Sequence, residues 1–250
     1  MKKIIIKADD YGFTEAVSLG ILLAHKNGIV KNTGMMVNMP AAIQAAEWIR
    51  SYPELCLGLH INLIVGTPCC DLTEIPSLID KNGKFISSKV RRAEITQGID
   101  PFILSETKKE CVAQVIRFIE LNNRIPEYIE AHAVSSPTIQ KAIAEVANEF
   151  GIEILPHHQP SKWSVPQFKS DHYEFYKELL PYSEYFENRL DLTSNLILFV
   201  LHPGFVDEEL IRNSSLTLDR TKDYEMMIDP DVKAVLLSKG FQIISFREIE

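Results

Sequence analysis

The stretch Lys3-Ile4-Ile5-Ile6-Lys7-Ala8-Asp9-Asp10-Tyr11-Gly12 is a short apolar strand that runs straight into a pair of adjacent carboxylates. Two neighbouring acidic side chains repel each other and are costly to hold together unless a positive group, commonly a metal ion, sits beside them. Adjacent positions at a strand end can aim at one point from two directions, one carboxylate binding a metal and its neighbour left free as a base. An Asx-rich turn that closes the strand and caps the next helix is the competing reading of the pair taken alone.

Outward from this stretch, short runs rich in Ile, Val and Leu alternate with longer amphipathic segments, the pattern of a parallel sheet flanked by helices. Seven strands are expected: Lys3 to Ala8, Thr33 to Asn38, Cys56 to Leu63, Glu127 to Val134, Ile152 to Leu155, Leu196 to Leu201 and Phe241 to Phe246. Helices are expected over Thr14 to Asn27, Pro137 to Phe150 and Asp231 to Lys239, each stopped by a glycine (Gly28, Gly151, Gly240) able to take the left-handed conformation. A further helix over Ser105 to Asn123 has Ser105 as its cap and Val112, Val115, Ile116 and Ile119 at helical spacing toward the core. Two stretches break the rhythm, Ile64 to Leu104 and Pro156 to about Ser170; loops that long are lids, binding surfaces or a dimer contact.

A chain of 250 residues can bury a full core in one domain, here expected to span 1–250, and α/β barrels commonly have this length. The net charge of −8 and the lack of any Lys/Arg cluster larger than a pair argue against a nucleic-acid or anionic-membrane partner. The start carries no export signal and no run approaches the roughly 18 apolar residues of a membrane span, so the chain reads as cytoplasmic. Cys56, Cys69, Cys70 and Cys111 show no C-x-x-C spacing and are expected as free thiols.

The polar residues that stand out lie at strand ends. Asp9 and Asp10 follow the first strand, His60 and Asn62 end the third, Glu130 and His132 lie on the fourth, and His202 closes the sixth in His202-Pro203-Gly204. In an α/β barrel the carboxyl ends of parallel strands meet on the face that carries the active site. One strand-end histidine is ordinarily a hydrogen-bonded core or turn residue, but three of them with an aspartate pair converge on one place. Asp10, His60 and His132 offer one oxygen and two nitrogens, a set suited to Zn²⁺ or a similar divalent ion with positions left open for water. His25, His157-His158 and His172 read as surface, loop or cap residues.

Ala8-Asp9-Asp10-Tyr11-Gly12, then Gly58-Leu59-His60-Ile61-Asn62-Leu63 with Gly66 and Pro68, then Glu130-x-His132 and His202-Pro203-Gly204, together resemble the YdjC-like carbohydrate deacetylases from end to end. Ser215-Leu216-Thr217 leading to Asp219-Arg220, and the closing Gly240 to Phe246, are similar to that family's last segment. The resemblance implies a distorted, TIM-like (β/α) barrel and a metal-dependent hydrolase that removes N-acetyl groups from small chitooligosaccharides, releasing acetate. It implies Asp9 as catalytic base, Asp10, His60 and His132 as ligands of Mg²⁺ or Zn²⁺, and His202 facing the substrate as the first candidate to protonate the departing amine. Tyr11, Asn62 and Arg220, within the same motifs, are the expected substrate contacts, and a homodimer is the implied assembly.

The chain departs from the family's pattern in two places. Glu130 stands for the usual aspartate with Val134 where a second histidine is common, and Arg220-x-x-Asp223 replaces Arg-x-x-Glu. Three other readings remain at this point: a hydrolase of another amide or lactam of the LamB/YcsF type, a non-catalytic barrel that binds a sugar or metabolite, and a structural barrel whose histidines are packing residues. For a sugar cleft, Trp163, Tyr173 and Tyr176 are the aromatic candidates for stacking on a pyranose face.

Overall fold

The computed structural model describes residues 2–155, 172–189 and 195–249. Its centre is strand β1 (Lys2–Tyr11), in which every residue from Ile4 to Tyr11 is buried. β2 (Asn32–Met35), β3 (Cys56–Ile61) and β4 (Ile129–Ala131) extend the sheet on one side of β1, and β5 (Leu196–Leu201) lies on the other, giving the order β4-β3-β2-β1-β5. β6 (Phe241–Ile244) pairs with the first half of β1, and all five strand pairings are parallel. Asn32 makes this junction possible: its amide donates to Ile6 O and Ile244 O while its Oδ1 accepts from the Phe246 N–H, so β6 ends where β2 begins.

Helices cover the sheet. They are α1 (Glu15–Asn27), α2 (Ala42–Trp48), α3 (Ser88–Thr96), α4 (Leu104–Asn122), α5 (Pro137–Phe150), the short α6 (His172–Phe175) and α7 (Tyr182–Glu184), α8 (Glu208–Asn213), α9 (Asp219–Ile228) and α10 (Pro230–Ser238). Thr14 caps α1 by accepting from the Val17 N–H at 3.1 Å, and Ser136 caps α5 by accepting from Ile139 N–H at 3.2 Å. Among the described residues no helix is long and apolar enough to cross a membrane, and the four cysteines are free thiols.

The alternating α/β pattern, the parallel sheet and the positions of six strands follow the sequence reading; three details differ. Ile152 to Leu155 does not form a strand: Ile154 makes an isolated bridge to Ile129, so six strands rather than seven are paired among the described residues. Among the described residues the paired strands run from β4 at one end to β5 at the other. α4 begins at Leu104 without a side-chain cap from Ser105, and it turns Cys111, Val115 and Phe118 inward while Ile116 is 47% exposed. Gly28 has φ −137°, outside the left-handed region, and is needed for space: a Cβ there would stand 2.1 Å from Met227 O at the end of α9.

Candidate metal centre at the carboxyl end of the sheet

In a regular strand, Asp9 and Asp10 would point to opposite faces. The register of β1 against β2 breaks between Ala8, opposite Thr33, and Tyr11, opposite Met35, so three steps on one strand match two on the other. This is a bulge, and Asp10 sits in it with φ 74°, a left-handed conformation that aspartate tolerates better than most side chains. The consequence is chemical. Asp10 Oδ1 lies 3.3 Å from His60 Nε2, and Asp9 Oδ2 lies 3.8 Å from the same nitrogen.

His60 is on β3, and His132 directly follows β4, set by Ala133 at φ 55°. Asp10 Oδ1, His60 Nε2 and His132 Nδ1 form a triangle with edges of 3.0, 3.0 and 3.3 Å. Asp10 Oδ1 is buried and has no hydrogen-bond partner. Donor atoms about 2.1 Å from a shared ion are about 3.0 Å apart at right angles and about 3.4 Å apart at tetrahedral angles, so the three atoms fit one divalent ion. The other Asp10 oxygen is taken by Arg220 Nη2 of α9 at 2.6 Å. Burial opposes charge on Asp10, but His132 and Arg220 outweigh it and hold its carboxyl well below the usual range. Asp10 therefore presents an anion at any neutral pH.

Behind the triangle lies a second layer. Lys7, fully buried on β1, reaches between Asp9 and Glu130 and forms ion pairs with both. Glu130 Oε1 is 3.2 Å from His60 Nδ1, so the two ring nitrogens of His60 face Glu130 and Asp10 respectively. With no ion bound, burial opposes a charge on His60, yet Asp9 and Glu130 raise its pKa to about 10; a divalent ion at Nε2 would displace that proton. Gly34 on β2 provides the room, because a Cβ there would come within 2.9 Å of Glu130 Oε1 and 3.1 Å of His60 Cβ.

His202, at the end of β5, faces this centre from its own network. Its N–H donates to Asp223 Oδ2 at 2.8 Å, and its Nδ1 lies 3.2 Å from the Tyr173 hydroxyl. Burial lowers its pKa to about 4, so the imidazole is neutral near pH 7. Asp223 is buried under the hydroxyls of Tyr173 and Tyr176, at 3.3 and 2.6 Å, and burial outweighs these bonds to raise it to about 7.

The three residues expected to contact substrate are buried and make internal hydrogen bonds. The Tyr11 hydroxyl donates to Ala45 O at 2.7 Å, Asn62 folds its own turn through Asn38, Ile64 and Val65, and Arg220 is spent on Asp10 and Leu216 O. Each of them is at most 2% exposed. Tyr176 is likewise buried, Tyr173 is turned to His202, and Trp163 lies outside the described residues. Val134 is a core residue next to His132. Lys7 went unread in the sequence, although a charged residue inside a strand with neighbours on both edges, two positions before Asp9 on the same face, is a signal for it.

The model of the YdjC-like protein family matches residues 3–238. The chain belongs to the YdjC-like family. Among its family relatives, carbohydrate deacetylase 2 of Listeria innocua is 31% identical over 258 aligned positions, covering 99% of this chain and 98% of the relative. The carbohydrate deacetylase of Geobacillus stearothermophilus is 29% identical, covering 98% and 96%. A crystal structure from Enterococcus faecalis, described as that of a candidate cellobiose-phosphate cleavage protein, superposes with a TM-score of 0.79 at 23% identity over 98% of both chains. A polysaccharide deacetylase from Bacillus cereus superposes with a TM-score of 0.50 at 12% identity, covering 99% of this chain and 93% of that one; both likenesses concern the fold alone.

Proposed function

We propose that this YdjC-like protein is a metal-dependent carbohydrate deacetylase that hydrolyses the N-acetyl group of small amino-sugar oligosaccharides to acetate and a free amine. The observation that carries the reading is the buried triangle of Asp10 Oδ1, His60 Nε2 and His132 Nδ1, with its unpartnered oxygen, in a chain whose relatives are named carbohydrate deacetylases. One carboxylate and two imidazoles suit Zn²⁺, and Mg²⁺ is the alternative ion. A divalent ion bound there would polarise the acetamide carbonyl and lower the pKa of an attacking water.

The remaining steps belong to the chain's own groups. Asp9 has one oxygen bound to Lys7 and the other turned toward His60 Nε2, at 3.8 Å, so its second oxygen is the proton acceptor beside the reacting water. Once protonated, Asp9 also carries a proton for the departing amine, because His202 is neutral near pH 7. His202 has Nδ1 engaged by Tyr173, which leaves Nε2 to hydrogen-bond the substrate and orient the amide. Arg220 keeps Asp10 charged and in place rather than touching sugar.

The test is acetate release from diacetylchitobiose by metal-stripped protein, before and after restoring Zn²⁺ or Mg²⁺. Release that returns with the ion supports the reading. Release unaffected by chelation removes the ion from it, and no release under any condition removes deacetylation of this substrate class.

A further inference from the structure

Two groups of potential ligands share His60: Asp10, His60 and His132, and next to them Asp9, His60 and Glu130. By donor type alone this is the layout of a two-ion centre with an imidazole between the sites. The second group, however, already contains a cation. The Lys7 ammonium, 0% exposed, is in contact with Asp9 Oδ1 and Glu130 Oε1. Burial favours the neutral amine, but the two carboxylates outweigh it and raise the Lys7 pKa above its ordinary value, so the group is charged. The Tyr128 ring, 6.0 Å from Nζ, and the close approach of Gly34 to Glu130 wall the ammonium in.

We infer that Lys7 is a built-in cation that occupies the second acidic group, limits the centre to one divalent ion, and positions Asp9 with a single oxygen free to accept a proton. The inference rests on the proposed deacetylase reading for the role of Asp9, and it adds a residue and a stoichiometry to that reading. It also accounts for the glutamate at position 130. The longer side chain reaches both the Lys7 ammonium and His60 Nδ1, at 3.2 Å, so the lysine's charge and the imidazole's orientation are tied through one carboxylate. Lys7 is a positioning residue: it touches the base and an outer partner of a ligand, not the reacting atoms.

The experiment measures bound Zn²⁺ per chain, by titration and by elemental analysis of the dialysed protein, for the full-length wild type and two variants. Wild type binds one equivalent; if it binds none, the metal reading fails before Lys7 is tested. Lys7→Ala empties the space and leaves Asp9 and Glu130 uncompensated, so it takes up a second equivalent, and one equivalent in the folded Lys7→Ala protein overturns the inference. Lys7→Met combined with Glu130→Gln removes one charge of each sign and keeps the cavity filled, which preserves the fold if Lys7→Ala does not. In that double variant one equivalent remains, kcat for acetate release falls at least tenfold with KM within twofold of wild type, and an unchanged kcat overturns the inference.

Discussion

Asp9 and Asp10 are neighbours in sequence with different chemistry in the fold. Asp10 is pinned by Arg220 and shares its other oxygen with two imidazoles, whereas Asp9 is held by Lys7 and stands beside them. That difference yields opposite outcomes for two substitutions. On the proposed reading, Asp9→Asn keeps the shape and the metal but removes the proton acceptor, so kcat falls by about 10²–10⁴ while metal content, read by elemental analysis, stays at the wild-type level. Equal loss of metal would make Asp9 a ligand. His132→Ala removes one corner of the triangle and lowers metal affinity by more than the ~10–100-fold typical of losing an outer partner. An unchanged dissociation constant in a direct titration of His132→Ala would place the ligand elsewhere.

At the scale of elements, the loop that carries His202 is seated by contact between two glycines. A Cβ on Gly20 of α1 would stand 2.5 Å from Gly204 Cα, and the Phe205 N–H donates to Ala16 O at 3.2 Å, so helix and loop touch backbone to backbone. In an open helix interior, Gly→Ala adds roughly 1 kcal/mol of stability; here overpacking reverses the sign, and Gly20→Ala costs about 1–3 kcal/mol in urea unfolding. A stabilised Gly20→Ala protein would mean the contact is looser than described. The elements themselves were legible because they obey local rules: isoleucine and valine runs for strands, Thr14 and Ser136 as caps, Gly151 at φ 66° as a stop. What was not legible depends on contacts between distant segments. Ile152 to Leu155 looks like a strand and is reduced to one bridge because it meets Ile129 at a single point. The convergence of Asp10, His60 and His132 could be read from strand ends, but the bulge that brings Asp9 to the same side, and the burial of Tyr11, Asn62 and Arg220, are products of packing.

On the scale of the whole molecule, the two networks around the centre make stability depend on pH and, on the proposed reading, on a bound ion. Asp223 joins α9 to α6 and β5 through Tyr176, Tyr173 and the His202 N–H. Its pKa in the fold, about 7, lies above the roughly 3.9 of an unfolded aspartate, so between those values the native state holds one more proton than the unfolded chain and stability falls as pH rises. Urea midpoints at pH 5 and pH 7.5 therefore drop more in wild type than in Asp223→Asn, which cannot ionise, and parallel drops would assign the dependence to other groups. The ion acts in the other direction. Asp10, His60 and His132 come from the ends of three strands, and Arg220 ties Asp10 to α9, so a ligand bound to this triangle exists only when all four segments are assembled. Binding to the native state alone stabilises it by RT ln(1 + [L]/Kd), about 2.7 kcal/mol at a hundredfold excess over Kd. For a chain of this size that corresponds to a rise in Tm of about 5–10 °C. Wild-type protein with saturating Zn²⁺ should melt that much higher than the same protein in chelator, and His132→Ala should show little of the difference. A wild-type Tm that does not respond to the ion would mean that the triangle holds no metal, and the roles assigned to Asp9 and His202 around it would fall with it.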